Sequence, residues 1–160
     1  MIPYSLILAI AAIESGGNPA AVGRNGELGI LQISQGVVDD CNRLQSVVKF
    51  THADALRPEC AEAMFRIYVG HYASKARFGD GRGLVEMAMV WNGGPDGWKK
   101  VQCTQYGARA AMLAYQYESQ QPALNTITGF DWSRMFARDR AGLNANPVPA
   151  QIRAALSPAQ

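Results

Sequence analysis

Leu6-Ile7-Leu8-Ala9-Ile10-Ala11-Ala12-Ile13-Glu14-Ser15-Gly16-Gly17-Asn18-Pro19 is an apolar run that ends on a carboxylate and then breaks on small and turn-forming residues. Pro3 suits a first helical turn because its φ is already near the helical value, and Leu6, Ile10 and Ile13 repeat at i, i+4 and i+7. The pattern predicts a helix over residues 3–14, stopped by Ser15 to Pro19. Glu14 then falls in the last turn, where the helix dipole disfavours negative charge. A carboxylate placed against its local preference is a candidate for function, although on spacing alone an idle, exposed helix-end residue is the plainer reading. The same run has the length of a signal-peptide core, about 7–15 residues. No Lys or Arg precedes it, and cleavage after Ala11 would leave Glu14 near a free end, so it reads as a buried first helix.

Downstream of the stop, Gly23, Gly26 and Gly29 precede Ile30-Leu31-Gln32-Ile33. Glycines followed by an apolar tetrapeptide predict a tight loop or short hairpin near residues 22–34 that returns the chain to the core. The stretch 39–59 is polar, and the part flanked by Cys41 and Cys60 reads as helix-poor. From Cys60 to Phe78 a helical stripe of Cys60, Met64, Ile67 and His71 is flanked by Phe65, Val69 and Tyr72, and Gly79 to Gly83 end it. Leu84 to Trp91 reads as a buried helix closed by Asn92-Gly93-Gly94-Pro95. Thr104 to Ser119 is another, with Thr104 as N-cap and Tyr106, Ala110, Leu113 and Tyr117 on one face. After Gln120 the periodicity fades into scattered aromatics (Phe130, Trp132, Phe136) and a Pro/Ala-rich end. The expectation is one α+β domain, mainly α: a body over 1–120, then 121–160 as a covering arm and tail rather than a second domain.

A chain of 160 residues can close one core unaided. With 48% apolar and only 18% charged residues it reads as globular rather than disordered. A net charge of +2 is too small to argue for nucleic acid. No stretch approaches the roughly 20 apolar residues of a membrane span, so no stable insertion is expected. Cys41, Cys60 and Cys103 lack metal-like spacing and only His52 and His71 are present, so no metal or other cofactor is implied. Cys41 and Cys60 could close a loop of roughly 20 residues, worth about 3 kcal/mol; three buried free thiols are the alternative. There is no phosphate-binding glycine loop and no Gly-x-Ser-x-Gly elbow. His71 reads as a core histidine, and His52 has no nucleophile near it in sequence.

What remains is a helix-terminal Glu, a Gly-rich turn, and a second Gly-rich turn carrying Trp91 and Asn92. Those parts suit sugar chemistry. Cleaving a glycosidic bond needs a carboxylic acid to protonate the leaving oxygen, and an apolar pocket keeps that acid protonated near neutral pH. Glycines let backbone approach a polymer, and aromatic faces stack on sugar rings.

Ala12-Ile13-Glu14-Ser15-Gly16-Gly17-Asn18-Pro19, then Gly29-Ile30-Leu31-Gln32-Ile33, then Trp91-Asn92-Gly93-Gly94 resembles the lytic transglycosylase (SLT-type) family of the lysozyme-like superfamily, related to goose-type lysozymes. In that family Glu-Ser, Gly-Leu-Met-Gln-Ile and Tyr-Asn-x-Gly occur in the same order, and the likeness covers roughly residues 5–117. The resemblance implies a lysozyme-like fold and scission of the β-1,4 MurNAc–GlcNAc bond of peptidoglycan. Glu14 would be general acid and then base, and Ser15 a polar contact to the sugar or the carboxylate. Gln32 would orient Glu14 or an N-acetyl group, Asn92 would bind substrate, and Tyr106 is the best match to a family tyrosine near the catalytic Glu. Leu31 stands in place of Met, a swap of similar volume. Trp91 stands in place of Tyr, keeping an apolar wall and losing a hydroxyl. Glu27 lies where a second, water-positioning carboxylate of a hydrolase could sit, with Asp39 and Asp40 further on; a solvated surface residue is the plainer reading of Glu27. Core packing is the plainer reading of Tyr106; for Trp91 it can hold alongside a cleft role, and for Gln32 a solvent-facing position and a site role stand level. One placed carboxylate favours transglycosylation giving 1,6-anhydro-MurNAc. A lysozyme- or chitinase-like hydrolase and a non-catalytic glycan-binding module are the rivals. The expected partner is the glycan strand, the chain acting as a monomer at the cell wall, in a periplasmic or extracellular location.

Overall fold

A computed structural model of the chain describes residues 2–75 and 83–120. The chain divides into two units, Met1–Thr128 and Gly129–Gln160, and every described residue belongs to the first. The arm and tail expected over 121–160, and most of the Gly79–Gly83 stop, lie outside the described residues.

Helix α1, Tyr4–Ser15, starts directly after Pro3, whose φ of −74° and ψ of 149° make it the extended residue at the helix mouth. Tyr4 through Ala11 are all buried, and Leu6, Ile7, Ala9 and Ile10 expose no surface. The sequence suggested an apolar stripe; the structure buries the helix on every side, as expected where the whole circumference is apolar or small. Each enclosed Leu or Ile contributes about 1.5–3 kcal/mol of transfer free energy. At its start, Arg66 lies over the Tyr4 ring, 4.6 Å from the centroid, and donates to the carbonyl of Ile2 (2.7 Å).

The structure corrects the helix-poor reading of the next stretch. Helix α2, Gln35–Leu44, is capped by Ser34, whose hydroxyl accepts from the amide of Val37 (3.4 Å). Val37, Val38, Cys41 and Leu44 give it a one-sided apolar face, and Val38 and Cys41 are fully buried. A 3₁₀ turn, His52–Leu56, follows, tied by the Thr51 amide and hydroxyl, which both donate to Asp54 Oδ2 (2.7 and 2.8 Å). Helix α3, Pro58–Lys75, buries Ala61, Met64, Phe65, Tyr68 and Val69, while Ile67 and His71 of the expected stripe are only half-buried.

Helix α4, Gly83–Gly93, leads through 3₁₀ turns at Gly97–Lys99 and Val101–Cys103 into α5, Thr104–Gln120. Thr104 was expected to cap α5 from outside. Its φ of −61° and ψ of −44° are already helical, because the 3₁₀ turn runs straight into the helix. Helix α5 lies against α1 and α4 through its small residues Gly107, Ala110, Ala111 and Ala114. A Cβ on Gly107 would come within 2.7 Å of the Val85 carbonyl oxygen, so only glycine permits that approach.

Between α1 and α2 the chain forms two isolated antiparallel bridges, Val22 with Leu28 and Leu28 with Ile33; among the described residues there is no named strand. Ile30, Leu31 and Ile33 do enter the core completely. All three cysteines are buried free thiols. Cys41 donates to the carbonyl of Met64 (3.3 Å), and burial pushes its thiol pKa up to about 12.

Candidate active site

The last turn of α1 carries Glu14 to the edge of the core. Gly16 takes φ 63°, and its amide and that of Gly17 satisfy the carbonyls of Ala12 and Ala11 (3.2 and 3.1 Å). The helix therefore ends immediately beyond Glu14, leaving the half-buried carboxylate facing an open cavity of about 320 Å³. Glu14, Gly23, Arg24, Glu27, Gln32, Ser34, Val37, Trp91 and Asn92 line that cavity. Five of the side chains singled out from the sequence thus converge: Glu14, Glu27, Gln32, Trp91 and Asn92.

Tyr106 is not in that lining but reaches Glu14 from behind, its hydroxyl donating to Oε1 at 2.6 Å. Burial raises the pKa of Glu14, the Tyr106 hydrogen bond opposes that rise, and the charge of Glu27 adds to it. Burial and the neighbouring Glu14 both raise the Tyr106 pKa, so the phenol keeps its proton and acts as the donor. Glu27 moves the other way. Its own backbone amide and Asn25 hold the carboxylate in its charged form, with the Asn25 amide and side chain 3.0 and 3.1 Å from its oxygens. One cavity thus holds a carboxyl biased toward its acid and another biased toward its anion, the pattern by which paired carboxylates divide acid and base roles.

Ser15 lies elsewhere. Its hydroxyl points to the carbonyls of Ala11 (3.2 Å) and Ile30 (2.8 Å), which ties the end of α1 to the returning loop rather than to the cavity. Gln32 stands on left-handed backbone at φ 51°, unusual for a residue with a side chain, and its amide nitrogen donates to the Gly29 carbonyl (2.9 Å). Gly29 itself has φ 76°, and a Cβ there would lie 1.8 Å from the Ala55 carbonyl oxygen. Gly23 is needed for space: a Cβ would meet Glu27 Oε2 at 2.4 Å and Gln32 Oε1 at 2.5 Å. Trp91 is half-buried, packed against Phe65 (centroids 4.7 Å apart) and edge-on to Tyr68 (6.0 Å), while still contributing to the cavity wall. Asn92 is exposed at the rim.

Sequence reasoning missed Arg24, Ser34 and Val37, and noted Gly23 only as part of the Gly-rich turn. Ser34 and Val37 belong to the start of α2, which the sequence reading did not find. Arg24 sits between two glycines in Gly23-Arg24-Asn25-Gly26, a turn signature that marked the loop but not the direction of the side chain. Among the described residues, no group of three or more His, Cys, Asp or Glu is arranged to hold a metal ion.

Fold and site together define a mainly helical protein with a half-buried, proton-biased carboxylate at the end of its central helix. Residues 1–64 match the family model of the Transglycosylase SLT domain, consistent with the lytic transglycosylase resemblance of its motifs within the lysozyme-like superfamily. The match runs from α1 into the first turns of α3, so it includes Glu14, Ser15, Glu27 and Gln32 and stops before Trp91, Asn92 and Tyr106. At the level of the family it points to glycosidic cleavage of peptidoglycan. No curated protein and no solved structure matches the chain. Among the described residues no helix is long and apolar enough to cross a membrane.

Proposed function

We propose that this chain cleaves the β-1,4 bond between N-acetylmuramic acid and N-acetylglucosamine, as a lytic transglycosylase, with Glu14 as acid and then base. The observation that carries the reading is the Glu14 carboxyl, held by Tyr106 at 2.6 Å and biased by burial toward its protonated form, inside the cavity lined by Gln32, Trp91 and Asn92. In the first step Glu14 gives its proton to the leaving glucosamine oxygen as the muramyl C1–O bond breaks, while the substrate's acetamido oxygen supports C1. In the second, the Glu14 carboxylate takes the proton of the muramyl C6 hydroxyl as that oxygen closes on C1, giving the 1,6-anhydro sugar. Glu14 ends protonated, ready for another cycle. Trp91 offers an apolar wall to a sugar ring, and Gln32 and Asn92 offer amides to its acetamido group. The chain would act as a monomer at the cell wall, in the periplasm or outside the cell.

One observation favours a second reading. Glu27 lines the same cavity with its carboxylate biased toward the anion, so it could orient a water for hydrolysis. Mass spectrometry of products from purified peptidoglycan separates the two, with Glu14→Gln as control. Anhydro-ended muropeptides from the wild type alone support transglycosylation. Reducing ends that disappear in Glu27→Gln support hydrolysis. Binding with no product from either protein would leave a non-catalytic glycan-binding module.

A further inference from the structure

We infer that Arg24 is a specificity-determining residue that binds a carboxylate of the substrate, at the lactyl group or on the stem peptide of the muramyl residue. The inference rests on the glycan-cleaving reading above and adds to it which chemical group the cavity selects.

Among the described residues Arg24 is the only cation in the lining of the Glu14 cavity, and it has no ion-pair or hydrogen-bond partner there. The obvious partner, Glu27, is three residues away in the same lining, but its oxygens accept from the amide and side chain of Asn25 and no ion pair to Arg24 forms. The turn that presents Arg24 is firmly held. The Gly26 amide donates to the Gly23 carbonyl (3.1 Å), and the Gly23 amide donates to the Glu27 carbonyl (2.7 Å). Glycine at position 23 lets this turn lie directly against the side-chain ends of Glu27 and Gln32. A guanidinium that no described residue engages, at a cleft that already holds two carboxylates, is free to take an anion from outside. A neutral N-acetylglucosamine polymer has none. A muramyl residue brings a carboxylate, either on its lactyl group or on the peptide attached there, and a planar guanidinium matches a carboxylate with paired donors. Because Arg24 is exposed, the contact is partly screened and its effect is moderate.

Binding is measured by calorimetry in the Glu14→Gln background, so that nothing is turned over. The ligands are chito-oligosaccharide, peptide-free glycan strands and peptide-bearing strands. Adding Arg24→Ala is expected to weaken the carboxylate-bearing strands roughly three- to ten-fold, leave chito-oligosaccharide within about two-fold, and flatten the salt dependence. Arg24→Lys recovers part of the loss. Loss on both kinds of strand places the contact at the lactyl carboxylate; loss on peptide-bearing strands alone places it on the peptide. Equal loss on chito-oligosaccharide, or no loss on any ligand with the circular dichroism unchanged, overturns the inference while leaving the cleavage reading intact. If the protein with Arg24 in place binds no strand and wild type cleaves none, the cleavage reading has failed and this inference falls with it.

Discussion

The hydroxyl of Tyr106 donates to Oε1 of Glu14 across 2.6 Å, joining the first and last described helices through side chains 92 residues apart. The close packing of α5 on α4 at Gly107, the next residue, sets where Tyr106 can reach. Because the hydrogen bond stabilises the charged form of Glu14, it limits how far burial raises that pKa. Tyr106→Phe removes the donor and keeps the ring. The Glu14 pKa then rises further, so the basic limb of the kcat/KM profile moves to higher pH. With the carboxyl no longer held, kcat/KM at the optimum falls roughly ten- to a hundred-fold. A profile with an unmoved limb and full activity would show the tyrosine to be packing only.

Glu14 also links pH to stability. Its pKa is raised in the fold, so the folded state holds that proton more tightly than the unfolded chain does. The group's contribution is fully present below the unfolded carboxylate pKa and is lost as pH rises through the raised folded value. Above that window a buried charge must be carried, with Glu27 adding repulsion. Glu14→Gln removes the charge and keeps an oxygen that can accept from Tyr106. Its melting temperature is expected above wild type at pH 7, with the difference closing as pH falls below about 4. Thermal scans at the two pH values decide this, and a constant difference would contradict the burial account.

The central helix and its exposed end were legible in the sequence because apolar periodicity and a cluster of breakers are local signals. Glu14, Gln32, Trp91 and Asn92 were singled out through the resemblance of three motifs in order; the expected turn at Asn92 lies within α4, which runs on to Gly93. Helix α2 was read as helix-poor although Ser34 and the Val37, Val38, Cys41, Leu44 spacing were present, since the polar residues between them outweighed a short apolar face. The direction of Ser15 was not legible: next to Glu14 it looked like a site residue, but the Ile30 carbonyl that it reaches is brought near only by tertiary folding. Arg24 was missed because a turn residue's side chain is aimed by the loop's packing, not by its neighbours in sequence.

That packing makes Gly29 a sensitive position. Gly29→Ala places a methyl carbon 1.8 Å from the Ala55 carbonyl oxygen and imposes a side chain on φ 76°. Backbone strain alone costs on the order of 1–3 kcal/mol, and the clash forces the loop off the 3₁₀ turn. The expected loss is about 3 kcal/mol or more in denaturant unfolding, with strongly reduced cleavage because Gln32 moves with the loop. Gly26→Ala, also at positive φ but with open space around its Cβ, is expected to lose only the strain part. Equal destabilisation by the two variants would remove the contact with Ala55 as the cause.

The cysteines give a test of the core. Cys41, Cys60 and Cys103 are all buried free thiols, and Cys41 is further disfavoured from ionising by its pKa of about 12. Nucleophilic attack by a thiol requires the thiolate and access; burial withholds access at all three, and at Cys41 the raised pKa withholds the thiolate as well. A thiol reagent should therefore modify none of the three at pH 8 in the native protein and all three in denaturant. A reductant should leave the melting temperature unchanged, since no cross-link constrains the unfolded chain. A drop of several degrees on reduction would instead mean that Cys41 and Cys60 are joined, which would require α2 and the start of α3 to pack differently around the Cys41 contact to Met64.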